Sequence, residues 1–76
     1  MRQYQLGDCL LLERLEENKM SQSDFSRHMG VSRQFVGKLI SGERNMSLEF
    51  ALNAAHLLKC RVTDLYVLKV VRKGQE

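Results

Sequence analysis

Hydrophobic residues recur at helical spacing in two short segments near the middle of the chain. Phe25 and Met29 lie one helical turn apart in the first segment. Val36, Leu39 and Ile40 form a stripe with spacings of three and four in the second. Such spacing places apolar side chains on one face of a helix. The pattern therefore predicts two short helices that each pack one face against a core.

The residues at the ends of these segments favour the same two helices. Ser21 and Ser32 stand where a side-chain oxygen can cap the free amides of a first turn, and Asp24 complements the positive end of the first helix. Gly30 and Gly42 stand where each helix must stop, because glycine enters the left-handed conformation freely. The sequence thus predicts helix, tight turn and helix over residues 21–42.

The second of these helices carries polar side chains that its apolar stripe does not use. Arginine can pair with guanine, glutamine with adenine, phenylalanine with a thymine methyl group, and lysine with guanine or phosphate. Gly37 would remove bulk where the helix presses against a groove. The alternative is an ordinary solvated polar face. We predict base-reading roles for Arg33, Gln34, Phe35 and Lys38.

Helical patterns also flank this central unit. A first helix is predicted from residue 7 or 8 to residue 18, with Leu11, Leu12 and Leu15 facing the core. Residues 1–5 are predicted to fray, with a strand or an arm on DNA as alternatives. After the loop 43–46, Ser47 would cap a fourth helix. Its predicted core stripe consists of Leu48, Ala51, Leu52, Ala55 and Leu58.

The ordered set of these features resembles the DNA-binding domain of the phage repressor and Cro class, the XRE-type helix-turn-helix. The matching pieces are Ser21-Gln22, Gly30-Val31-Ser32, Ser32-Arg33-Gln34, Ser41-Gly42, Ser47-Leu48-Glu49 and the segment 62–66. The resemblance covers about residues 7–66. It implies an all-α, five-helix fold with residues 62–66 as the fifth helix. Residues 1–76 would form a single domain, with 67–76 as a C-terminal extension that is either β or helical.

The resemblance also implies a function and a set of DNA contacts. The expected function is sequence-specific binding to double-stranded DNA by a transcription regulator, most simply a repressor. Arg44 and Asn45 would contact the DNA backbone in the loop after the recognition helix. Helix N-termini offer amides to phosphate. The predicted contacts with the DNA backbone are Gln22, Ser32, Ser41, Arg44 and Asn45.

The extension is rich in β-branched residues, with Tyr66, Leu68 and Val70 in alternation. Left uncovered, such a segment would be an adhesive edge. We interpret it as a homodimer element, either a strand that pairs with its twin or a continued helix that packs on its twin. The alternative is a segment folded back over its own core, paired with residues 2–6.

Composition and charge agree with a nucleic-acid partner. The net charge of the 76 residues is +3. Residues 1–18 carry a net −2, residues 19–46 a net +3 and residues 47–76 a net +2, so the positive charge lies on the helix-turn-helix and the tail. A basic face suits a polyanion. No apolar run reaches the length of a membrane span.

Other functions receive little support from the sequence. Cys9 and Cys60 form no CxxC pair, so we expect reduced thiols, no metal site and no cofactor. No nucleophile–base pair or phosphate-binding glycine loop suggests an enzyme. Three functions stay open: a free-standing repressor, the antitoxin of a toxin–antitoxin pair, and a protein-interaction module that has lost DNA binding. For a regulator we expect a cytoplasmic, nucleoid-associated protein of a bacterium or phage.

Overall fold

Two terminal strands pair with each other beside four helices. The computed structural model describes residues 2–72. In chain order the elements are β1 (Arg2–Cys9), α1 (Leu11–Glu17), α2 (Gln22–Met29), α3 (Arg33–Ser41), α4 (Leu48–Leu58), one 3₁₀ turn (Val62–Asp64) and β2 (Tyr66–Arg72). The domain is therefore a small helical unit with a short two-stranded sheet, and the strictly all-α, five-helix prediction is only roughly right.

The differences from the five-helix prediction lie at both ends of the chain. The first helix begins at Leu11 rather than at residue 7 or 8, and the segment before it is a strand rather than a frayed lead-in. The predicted fifth helix is reduced to the 3₁₀ turn, since Tyr66 already begins β2. Both errors have one cause, because the β-branched C-terminal segment finds a partner strand at the N-terminus.

The two strands form an antiparallel ribbon within one chain. Tyr4 lies opposite Val70 and Leu6 opposite Leu68, and the register shifts between Leu6 and Cys9. The fold-back alternative for the tail is therefore the observed conformation, and a continued helix is wrong. Residues 73–76 of the predicted extension lie outside the described part of the chain.

The core lies where α1, α2, α3 and α4 meet the 3₁₀ turn. Its fully buried large side chains are Leu11, Leu15, Phe25, Val36, Leu39 and Leu65. The predicted apolar stripes of α2 and α3 thus enter the core as expected. The central helices are therefore held by the faces that their periodicity predicts.

The core face of α4 agrees with its predicted stripe at Ala51, Ala55 and Leu58 and differs from it at Leu48 and Leu52. Leu48 and Leu52 are exposed, as is Leu12 on α1. The buried residues of α4 are Ala51, Ala54, Ala55 and Leu58. The buried face consists of three alanines and one leucine, and it is rotated away from Leu48 and Leu52 in the first half of the helix. The exposed Leu48 consequently becomes available for another contact.

Local capping follows the sequence prediction closely. The hydroxyls of Ser21, Ser32 and Ser47 each accept a hydrogen bond from the backbone N–H three residues later, at 3.0–3.1 Å. Gly30 and Gly42 end α2 and α3 with φ of 70° and 89°. These are left-handed conformations in which a side chain would be strained. The start of α3 and the turn before it are therefore fixed by local chemistry.

Candidate nucleic-acid interface

A hydrogen bond between side chains joins the starts of α2 and α3. Arg33 Nε donates to Gln22 Oε1 at 3.2 Å. Gln22 is half-buried, whereas Arg33 is exposed. Because the bond uses Nε, the two terminal nitrogens of the guanidinium group remain for a second, bidentate contact. The pair therefore restrains an exposed arginine that would otherwise have many rotamers.

Three of the predicted base-reading side chains share the outward surface of α3. Arg33, Gln34 and Lys38 are exposed, whereas Val36 and Leu39 are buried. With about 100° between successive residues, the three exposed positions span an arc of about 140°. Their donors and acceptors therefore face away from the core together, and we call them the α3 polar face.

Gly37 lies within the arc of the α3 polar face. A Cβ atom built at this position would meet no other atom within 4 Å. Glycine in a helix interior costs about 0.5–1 kcal/mol relative to alanine. No packing contact in the described part of the chain requires this glycine. The surface of α3 is therefore recessed and unobstructed at Gly37.

Phe35 differs from the other predicted base-reading residues. Its side chain is half-buried, and its ring packs edge-to-face against Phe50 with centroids 5.8 Å apart. Phe50 in turn packs edge-to-face against Phe25 at 6.1 Å. The three rings connect α2, α4 and α3. Phe35 thus anchors α3 to α4, whereas the sequence predicts only an outward role for it.

The predicted backbone contacts lie around the two ends of α3. Gln22 begins α2, and Ser32 is the N-cap of α3. Ser41 lies at the end of α3, where its hydroxyl donates to the carbonyl of Lys38 at 3.2 Å. Arg44 and Asn45 are exposed in the following loop. The polar groups proposed to position a nucleic acid therefore flank the helix proposed to read it.

The loop after α3 is fixed by contacts that the sequence did not reveal. The backbone N–H of Arg44 donates to the carbonyl of Lys38 at 3.2 Å, and that of Met46 donates to the Tyr66 hydroxyl at 3.0 Å. Tyr66 is buried, and burial raises the pKa of its hydroxyl, so it is neutral near pH 7. Tyr66 was predicted to lie at a dimer surface. That role is wrong, because its side chain is an internal support for the loop.

The described residues give little support for metal binding, cysteine chemistry or a membrane span. Among residues 2–72, no three side chains of His, Cys, Asp or Glu are grouped so that they could hold a metal ion. Cys9 and Cys60 are free thiols, and burial raises the pKa of both. No helix in the described range has the length and apolar character needed to cross a membrane.

Comparison with known proteins adds one finding to this geometry. A family model described as helix-turn-helix, of the XRE type, matches residues 11–65, which is more than half of the chain. The matched range starts with α1 and ends just before β2, so it contains all four helices. No curated protein matches the chain.

Proposed function

The chain belongs to the XRE type of the helix-turn-helix family, a family of DNA-binding transcription regulators, and from this premise we propose that it is a repressor that binds double-stranded DNA sequence-specifically. The observation that carries the proposal is the α3 polar face, which is exposed on a helix whose other side is buried. Residues that only solvate a surface would need neither the Gln22–Arg33 bond nor an open glycine among them.

In the proposed complex the first turns of α3 enter the major groove. The terminal nitrogens of Arg33 contact O6 and N7 of a guanine, and Gln34 pairs with the donor and acceptor of an adenine. Lys38, about one turn further on, contacts a guanine edge or a phosphate. Phe35 contributes less, by packing its remaining exposed part on a thymine methyl group, since its ring already packs against Phe50.

The phosphate backbone would be held on both sides of that groove. Gln22 and Ser32 bring polar groups and helix N-termini to one strand. Ser41, the last residue of α3, and Arg44 and Asn45 in the following loop would contact the opposite backbone. Such contacts fix the register of the protein on the duplex and carry no sequence information of their own.

The proposed active form is a homodimer on a palindromic operator. A two-fold pair of α3 helices reads two half-sites separated by about one turn, or 34 Å, of DNA. A single α3 offers only three base-reading side chains with clear exposure, so one domain alone would specify few base pairs. Such a repressor would act at the nucleoid, in the cytoplasm of a bacterial or phage-infected cell.

Selection of bound sites from random double-stranded DNA tests the proposal most directly. We expect an enriched palindrome with half-site centres about 10 base pairs apart. Gel-shift titrations at several salt concentrations should then show tighter binding to the enriched site than to random DNA. A purely electrostatic binder would discriminate less between the two. Failure to enrich any motif, with no salt-dependent binding, would instead favour a protein-interaction module.

Replacing Gly37 with alanine should have opposite effects on folding and on DNA binding. The fold should gain about 0.5–1 kcal/mol, because alanine favours a helix and its Cβ meets open space. Specific DNA binding should weaken by about 1–3 kcal/mol, the cost of forcing a methyl group into a closely packed contact. Urea denaturation and fluorescence anisotropy with the selected site measure the two effects.

Gly30→Ala is the control for Gly37→Ala. Gly30 has φ of 70°, so alanine there should destabilise the fold instead of stabilising it. If Gly37→Ala stabilises the fold and leaves DNA affinity unchanged, the DNA does not approach α3 at this point. The placement of the α3 polar face in the groove would then be wrong.

Arg44→Ala should weaken binding to all DNA sequences by a similar factor. Arg44 is exposed in the loop after α3 and is proposed to contact a phosphate. Loss of one such contact should lower the slope of log K against log salt by about 1. Anisotropy titrations at several salt concentrations, on the selected site and on random DNA, measure this slope. A loss confined to the selected site would assign Arg44 to base reading.

A further inference from the structure

A buried tyrosine at the start of β2 reaches the loop that follows α3. Tyr66 is only 8% exposed, and its hydroxyl accepts a hydrogen bond from the backbone N–H of Met46 at 3.0 Å. The two residues are 20 positions apart in the sequence. The bond therefore ties the loop between α3 and α4 to a strand that lies at the other end of the helical unit in sequence.

The backbone that carries the Tyr66 ring is itself fixed by the core and the ribbon. Tyr66 pairs with Cys9 across the ribbon of β1 and β2. The carbonyl of the preceding residue, Leu65, accepts a hydrogen bond from the N–H of Leu10 at 2.8 Å. Leu65 is also fully buried. The position of the hydroxyl is therefore set by the ribbon and the core, and not by the loop that it supports.

The loop has a second attachment, which joins it to α3. The N–H of Arg44 donates to the carbonyl of Lys38 at 3.2 Å. Asn45 lies between this bond and the bond to Tyr66. The side chains of Arg44 and Asn45 are exposed, whereas Met46 is half-buried. The two backbone hydrogen bonds thus hold the stretch that presents both loop residues proposed to contact the DNA backbone.

We propose that the Tyr66 hydroxyl is a positioning group for DNA binding, because by fixing the loop it holds Arg44 and Asn45 where they meet the phosphate backbone. The inference rests on the proposed function and deepens it. Tyr66 is buried, so it acts on DNA only through the loop. It is also the first residue beyond the matched range 11–65, so the support comes from outside the helix-turn-helix unit. The terminal ribbon thereby takes part in DNA binding.

Preorganisation of the loop is the reason that one hydroxyl affects affinity. A loop that is fixed before binding loses less conformational freedom on the DNA than a loop that the DNA must order. Without the hydroxyl, the N–H of Met46 would have to turn to water to find another acceptor. A hydrogen bond of this kind is worth about 2- to 12-fold in an equilibrium constant. That factor limits how much DNA affinity its loss can remove.

Packing of the Met46 side chain is the competing support for the loop. Met46 is half-buried and packs against the hydrophobic core. If this packing alone fixed the loop, the Tyr66 hydroxyl would add stability to the fold and nothing to DNA binding. The two explanations therefore differ in what the removal of a single oxygen atom does to DNA affinity.

The test compares Tyr66→Phe with Tyr4→Phe. Each variant removes one hydroxyl from the ribbon and keeps the ring, but Tyr4 is 67% exposed. Anisotropy titrations at several salt concentrations, on the selected site and on random DNA, measure binding, and circular dichroism confirms that both variants are folded. We expect Tyr66→Phe to weaken binding to both DNAs by about 3- to 10-fold and to lower the salt slope, as Arg44→Ala does. Tyr4→Phe should leave binding within about twofold of the wild type.

A double-mutant cycle separates positioning of the loop from a general loss of stability. Arg44→Ala should cost about threefold less affinity in the Tyr66→Phe protein than in the wild type, because a displaced arginine has less contact to lose. Arg33→Ala should cost the same in both backgrounds, since the Ser32 cap fixes its place at the start of α3. Additive effects of Tyr66→Phe and Arg44→Ala would overturn the inference.

Hydrogen exchange distinguishes failure of this inference from failure of the proposed function, because it needs no DNA. The Met46 amide should exchange about 3- to 10-fold faster in Tyr66→Phe than in the wild type, and at the wild-type rate in Tyr4→Phe. Unchanged exchange in Tyr66→Phe overturns the inference. A wild type that binds no DNA would reject the repressor, and the Met46 amide would still show whether the hydroxyl holds the loop. If Tyr66→Phe bound DNA as tightly as the wild type, the inference would be rejected and sequence-specific binding would stand.

Discussion

Phe25→Ala is expected to lower the free energy of unfolding by about 3–5 kcal/mol. Phe25 belongs to α2, and its side chain is fully buried in the core. Its ring packs edge-to-face against Phe50 of α4. Alanine would remove the buried ring and leave a cavity between the helices. The favourable edge-to-face contact, worth about 0.5–1.5 kcal/mol beyond buried area, would be lost as well.

This loss is comparable to the whole stability of such a small domain. A core in this size range supplies only about 3–5 kcal/mol. Phe25→Ala should therefore be largely unfolded near 25 °C, and urea denaturation followed by far-UV circular dichroism should show little or no folded baseline. Phe25→Leu fills more of the space and should remain folded, with a smaller loss of stability.

Leu52→Ala is the control for the size of the removed side chain. Leu52 is exposed on α4, so its truncation should change stability by no more than about 0.5 kcal/mol. If Phe25→Ala cost no more than Leu52→Ala, the ring would not be a central support. The orientation of α3, which depends on the same aromatic contacts through Phe50 and Phe35, would then need another explanation.

The parts of the fold that were predicted correctly depend on neighbouring residues. Each of the three serine caps acts on an amide three residues away. Gly30 and Gly42 act through their own backbone conformation. Such interactions are complete within one turn of the chain, so the sequence specifies them directly. The helices α2 and α3 and the turn between them could be predicted for this reason.

The parts that were predicted wrongly depend on distant residues. β1 and β2 stabilise each other across the whole length of the chain, and neither strand has a short-range signal such as a tight hairpin turn. In α4 the prediction was correct for Ala51, Ala55 and Leu58, wrong for Leu48 and Leu52, and missed Ala54. The helix buries Ala54 and exposes Leu48, because the face of α4 that meets the core is decided by elements elsewhere in the chain.

The predictions for the candidate site divide in the same way, into those that depend on neighbouring residues and those that depend on distant ones. The outward positions of Arg33, Gln34 and Lys38 follow from helical periodicity once the cap at Ser32 fixes the start of α3. The inward packing of Phe35 and the support of the loop by Tyr66 depend on α4 and β2, which lie far along the chain. The hydrogen bond from Arg33 to Gln22 depends on the angle between two helices, which spacing alone does not give.

Arg33→Ala is expected to weaken binding to the selected DNA site by about 1–3 kcal/mol and to relax specificity at one base pair. Arg33 is the exposed first residue of α3, and because the bond to Gln22 uses its Nε, the two terminal nitrogens are left for a base contact. Anisotropy titrations on the selected site, its single-base variants and random DNA measure the effect. The wild type should penalise a change of the contacted guanine, whereas the variant should tolerate it.

Two further variants distinguish the loss of the Arg33 contact with DNA from the loss of one positive charge. Arg61→Ala removes the same charge from an exposed side chain beyond α4, so it should lower affinity only slightly and equally on all sequences. Gln22→Ala leaves the arginine but removes its restraint, and we expect it to reduce discrimination at the same base pair by a smaller amount than Arg33→Ala does. If Arg33→Ala lost equal affinity on specific and random DNA, Arg33 would be a phosphate contact. Gln34 and Lys38 would then have to carry the base reading alone.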